Sequence, residues 1–312
     1  MEAMHCANSS RSTKQMSNEE IKVEVETEET PKKKGNIVSI ICVLIGVICI
    51  GVAGYGLYGI YADYKVGDDI YNEVESEFVQ IHIPVEDTEV ESTEVDSGST
   101  ETQNTPEGPR GPWYELASVD IAGLKKQYPD VVGWILFENG MISYPVMHSH
   151  SNDTYLYTAY NGTESIGGSI FVEAVHSGDF SDTHTLIYGH NMKNGSMFGK
   201  LHYYRRSNDY YEGGQSRQYF LIYTEEEILR YHIFAYQEVN IESFVFKEYF
   251  TSAKELGNRL LANSRIRPEV NIPEDGKIIT LSTCTAGEEN RFVVSAVLVA
   301  RYNLADKTII EE

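Results

Sequence analysis

The chain has 312 residues, with 47 acidic against 25 basic side chains and a formal net charge of −22. This balance argues against nucleic acid as the main partner, because phosphate binding needs clustered Lys and Arg. The same balance argues against peripheral attachment of the folded part to anionic lipid.

Residues 1–36 are polar, mixed in charge and without apolar period, and read as a cytoplasmic tail ending in Lys32, Lys33 and Lys34. Residues 37–61 carry no charge. A helix of that length covers a hydrocarbon core of ~30 Å with some tilt. Lysines before it and acidic residues after it predict a single-pass anchor with the N-terminus inside. A cleaved signal peptide would have a shorter apolar core ending in small residues, and the sequence around Ala53 fits that poorly. Residues 62–112 form an expected extracellular linker. Ala62 to His82 reads as a short polar helix leaving the membrane, and the run from Pro84 to Pro112 is rich in Glu, Thr, Ser, Gly and Pro.

The catalytic domain is expected over residues 113–306. Trp113 to Tyr128 has helical spacing closed by Pro129. Thereafter short β-branched and aromatic runs alternate with Gly, Asn, Asp and Ser, which predicts a mainly β domain, a barrel or a sandwich. An amphipathic helix is expected from about Phe246 to Ser264. Of the four cysteines, only Cys284 falls in this domain. A lone exported cysteine is either a buried small hydrophobe or a reactive thiol.

The run KIITLSTC, then TAGEEN, then RFVVSAVLV reads as an antiparallel hairpin with Cys284 and Arg291 facing each other across its mouth. A permanently cationic guanidinium favours a nearby thiolate or oxyanion. A cysteine nucleophile also needs a base, most often His. His190 follows the apolar run TLIYG and opens the polar loop NMKNGSM, whereas His148, His150 and His176 read as solvent residues and His232 as structural.

TLSTC with an Arg seven positions on, together with LIYGHNMKNGSMFGKL, resembles the sortase family. YPDVVGWILFENGMISYPV, SNDTYL and GGSIFVEA resemble class B sortases in family order, over roughly Trp113 to Tyr302. The resemblance implies a closed β-barrel with peripheral α-helices, preceded by one transmembrane helix. It implies a cysteine transpeptidase with Cys284 as nucleophile, His190 as acid and base, and Arg291 as oxyanion and substrate holder. Asn152, Leu156, Ser282 and Thr283 would line the substrate groove. The substrates implied are surface proteins with a C-terminal sorting signal, cleaved after Thr, and an amine of a cell-wall precursor. No cofactor or metal is called for. The competing readings are a class B-like pilin polymerase, an inactive membrane-tethered binding module, and an L,D-transpeptidase, whose local His–Gly–Cys signature TLSTC does not supply.

Overall fold

A computed structural model describes residues 37–82, 112–284 and 289–312, the side chains of residues 37–39 and of Cys284 excepted. The expected tail and most of the acidic linker run lie outside the described residues. Two compact units divide the chain, residues 1–54 and 55–312.

Helix α1 spans Ile37–Phe78; its residues 37–54 are the described part of the first unit, and the rest belong to the second. It is long and apolar enough to cross a membrane. Its end differs from the expected linker. Tyr71, Val74 and Phe78 recur at helical spacing and are buried in the core of the second unit. Strand β1 (Val79–Ile81) follows at once and pairs antiparallel with β2 (Ala117–Val119). The acidic composition of the surrounding segment hides this apolar stripe, which becomes legible only against the surface it covers.

The expected helix from Trp113 is likewise divided. A 3-10 turn (Trp113–Glu115) leads to β2, and only then does α2 (Ile121–Gln127) begin. Asp120 starts it by accepting from the Gly123 amide, a local cap, while β1 recruits the residues before it into a strand.

The main sheet contains β3 (Val131–Phe137), β4 (Ser143–Met147), β5 (Ile170–Val172), β6 (His184–His190), β7 (Tyr219–Tyr223), β8 (Glu227–Asn240), β9 (Ile278–Cys284), β10 (Asn290–Asn303) and β11 (Ile309–Glu311). Eight of these run in the order β10-β8-β7-β3-β4-β5-β6-β9, and pairing of β9 with β10 closes the barrel, with β11 added at the far end of β10. The β-branched runs read from the sequence supply these strands. Closure removes the free edges that such strands would otherwise expose.

Two short helices, α3 (His202–Arg206) and α4 (Asn208–Glu212), lie between β6 and β7. The helix expected from Phe246 is two: α5 (Phe244–Lys247) and α6 (Ala253–Ala262). Ser252 caps α6 by accepting from the Glu255 amide at 3.0 Å, the start of a Ser-x-x-Glu box that fixes where the second helix begins.

Alternate residues of β6, β9 and β10 serve two cores. Ile187, Ile279, Leu281, Val294 and Ala296 fill the barrel, while Leu186, Ile278 and Val297 pack outside it with Leu256 and Leu260 of α6. Burial on both faces explains why these strands read as continuous apolar runs rather than alternating ones.

Candidate active site

β6 and β9 are parallel neighbours in a register that pairs Tyr188 with Ser282, Gly189 with Thr283, and His190 with Cys284. Neighbouring strands lie about 4.8 Å apart, so the His and Cys positions are adjacent at the same strand end. β9 and β10 are antiparallel, with Val293 opposite Ser282 and Leu281 opposite Val294. Continuing that register by two residues sets Arg291 opposite Cys284. The intervening step is held by Thr283, whose Oγ1 accepts from the Phe292 amide (3.1 Å) and donates to the Phe292 carbonyl (3.3 Å). On its other side Arg291 pairs with Val239 of β8. His190, Cys284, Arg291 and Val239 are thus one row of positions across four adjacent strands.

The period of two decides which face carries this row. Positions 278, 280, 282 and 284 share the face that packs outside the barrel, since Ile278 belongs to the outer core and Ile279 and Leu281 to the inner one. The row of positions therefore sits at the strand ends on the outer face of the barrel wall rather than in its lumen.

His190 is the last residue of β6 and only 8% exposed. Its Nε2 lies 2.7 Å from the Leu156 carbonyl. A carbonyl only accepts, so Nε2 carries the proton and the basic lone pair of the neutral ring is at Nδ1. Burial holds the His190 pKa below the ordinary imidazole value, and the Leu156 carbonyl opposes that shift. Nδ1 is then the ring nitrogen available to exchange a proton. Tyr157 flanks the imidazole with ring centroids 5.4 Å apart.

A family model of the sortase domain matches residues 139–299, just over half of the chain. Sortase B of Listeria monocytogenes is 31% identical over 188 residues, covering 58% of this chain and 75% of that protein. The chain is a class B sortase. Among solved structures, sortase B from B. anthracis superposes with a TM-score of 0.56 at 23% identity, over 76% of this chain and 98% of that one. A Streptococcus pyogenes class B sortase involved in pilus biogenesis superposes with a TM-score of 0.52 at 25% identity, over 58% of this chain and 98% of that one.

The sortase domain distributes the remaining expected residues unevenly. Asn152 Oδ1 accepts from the Ala174 amide at 2.8 Å, tying the loop before Leu156 to the segment after β5. Leu156 borders the site through its carbonyl. Ser282 is fully buried, and its Oγ has no hydrogen-bond partner among the described residues. A buried hydroxyl left unpaired costs about 1–3 kcal/mol. Thr283 is 3% exposed, on the strand face opposite to position 284, with its hydroxyl engaged by Phe292. That hydroxyl holds the register of the hairpin. Arg291 Nη1 donates to the Asn290 carbonyl at 3.1 Å, which folds the guanidinium back along its own strand.

Sequence reasoning missed the Leu156 carbonyl, because a main-chain oxygen leaves no side-chain signal. It also missed Tyr157, which reads as one tyrosine among several in a polar loop.

Proposed function

We propose that this class B sortase cleaves a C-terminal sorting signal after Thr and transfers the new acyl group to an amine of a cell-wall precursor. The alignment of His190, Cys284 and Arg291 on adjacent strand ends carries the reading. The Cys284 thiol passes its proton to Nδ1 of the neutral His190, and the resulting thiolate attacks the Thr carbonyl carbon. The C–N bond breaks, and His190 gives the leaving amine its proton, leaving a thioester. The acceptor amine then attacks the thioester and loses its proton to His190, and the C–S bond breaks to give the thiolate, which takes that proton back from His190. Arg291 holds the peptide backbone and stabilises each oxyanion. Burial of His190 suits this cycle, since a ring of lowered pKa is a ready proton donor once charged. Asn152, Leu156 and Ser282 line the groove, and Ser282 Oγ takes a peptide hydrogen bond.

The apolar run of α1, preceded by three lysines, supports a membrane anchor with the tail inside and the enzyme at the cell surface. Protease added to intact cells then removes the domain and spares the tail. A mature protein beginning after Ala53 would contradict this topology.

A second reading follows from the S. pyogenes relative involved in pilus biogenesis. In that case the acceptor is a lysine amine of another protein subunit. Incubating the full chain with a sorting peptide and each amine in turn, then weighing the products, separates the two. Wall anchoring requires transfer to the precursor amine. Hydrolysis without transfer to either acceptor would overturn the transpeptidase assignment.

A further inference from the structure

The second half of α1 is acidic and polar, yet one face of it touches both loops that hold His190. Tyr71 is 5% exposed, and its hydroxyl donates to the Gly168 carbonyl at 2.6 Å and lies 3.2 Å from Ser169 Oγ. Gly168 has φ +52°, and a Cβ there would stand 2.4 Å from the Leu156 carbonyl oxygen. Only glycine lets the chain pass so close. The same short hairpin is closed by the Ser169 amide on the Tyr155 carbonyl (2.9 Å) and by Ser169 Oγ on the Thr158 carbonyl (2.8 Å). The backbone of a residue that Tyr71 holds therefore passes close against the carbonyl that receives His190 Nε2–H.

A second route reaches the same histidine from its other side. The Tyr71 ring packs edge-on to Tyr144 at 5.2 Å, and Tyr144 Oη accepts from the Met197 amide at 3.0 Å. The next residue, Phe198, donates its amide to the His190 carbonyl at 3.0 Å. One helical turn before Tyr71, the Asp68 carboxylate accepts from Asn194 Nδ2, 3.2 Å from each oxygen, in that same loop. Burial raises the Tyr71 phenol well above its ordinary value, so it stays a neutral donor at any working pH.

We infer that the end of the anchor helix is a positioning element of the active site, with Tyr71 fixing the tautomer and orientation of His190 through Gly168 and Leu156. Tyr71 touches no substrate. It acts on the proton-carrying atom at two removes, and this inference rests on His190 having the role proposed above. Its consequence is that the segment joining membrane to enzyme is part of the catalytic apparatus, so the way the helix is seated bears on activity.

The test uses the full chain in detergent micelles with 15N-labelled histidine. His190 is assigned by loss of its signals in His190→Gln. In Tyr71→Phe the ring packing remains and only the hydroxyl is lost. The expected result is weakening or loss of the His190 Nε2–H resonance and a further fall of the ring pKa, because the Leu156 carbonyl is the contact that opposes its lowering by burial. kcat/KM on a sorting peptide falls by up to about 100-fold, with its acid limb moved in parallel. Asn194→Ala, which cuts the exposed contact and leaves the core intact, moves the same resonance by less. A His190 resonance and pKa unchanged in both variants, with the fold intact by near-ultraviolet circular dichroism, would overturn the inference. Full turnover in His190→Gln would instead overturn the proposed role of His190 and leave the resonance measurement standing, so the two failures are distinguishable.

Discussion

Replacing Phe78 by alanine measures whether the helix end belongs to the folded domain or to a tether. Phe78 is 7% exposed and closes the apolar stripe begun by Tyr71 and Val74. Phe→Ala in a packed core costs about 3–5 kcal/mol, from lost transfer energy plus the cavity left behind. For a domain of this size each kcal/mol lowers Tm by about 2–4 °C, so the expected drop is roughly 6–20 °C. A tether residue would change stability by no more than about 0.5 kcal/mol. The assay is thermal unfolding of the full chain in detergent, followed by near-ultraviolet circular dichroism, which reports the barrel's aromatic packing. Asn72→Ala, on the exposed face of the same helix, is the control and should melt with the unsubstituted protein. If Phe78→Ala also melts with it, the helix end is not part of the cooperative unit and the positioning argument for Tyr71 loses its base.

Cys284→Ala should abolish turnover of a sorting peptide, and Cys284→Ser should be nearly inactive because a hydroxyl is far less ionised than a thiol; retained turnover in the alanine variant would remove Cys284 as nucleophile. Arg291→Lys keeps the charge but not the planar fork of donors, so it should lose on the order of 10²–10³ in kcat if Arg291 holds the oxyanion; near-normal rates in both Lys and Ala variants would leave a Cys–His pair. Burial drives His184 down to about 3 and His232 down to about 4, whereas both return to about 6.5 on unfolding. The unfolded chain then binds more protons below pH 6.5, so this contribution is intact above that pH and is lost as pH falls, down to about 4 for His232 and about 3 for His184. For His184, 5% exposed and hydrogen-bonded to Thr280 at 2.9 Å, the slope is about 1.4 kcal/mol per pH unit. Urea unfolding at several pH values should show a shallower slope in His184→Gln, and equal slopes would contradict it.

The sequence by itself determined the elements whose signal is local. An uncharged apolar run marks α1, and β-branched runs between turn residues mark the barrel strands. TLSTC with a following Arg carries the hairpin that sets Arg291 opposite Cys284, because a hairpin's register follows from its own loop. What stayed illegible depends on surfaces distant in the chain. Tyr71, Val74 and Phe78 look like stray apolar residues in an acidic segment until the barrel supplies their partner. The helix expected from Trp113 gives up Ala117–Val119 to a strand that pairs with residues on the far side of the linker. His190 could be named from its loop, but its adjacency to Cys284 arises from a parallel pairing across more than ninety residues, which no local pattern encodes. Least visible of all is the Leu156 carbonyl that sets the tautomer of His190. Every residue has such an oxygen, and only the tertiary fold decides which one meets a ring nitrogen.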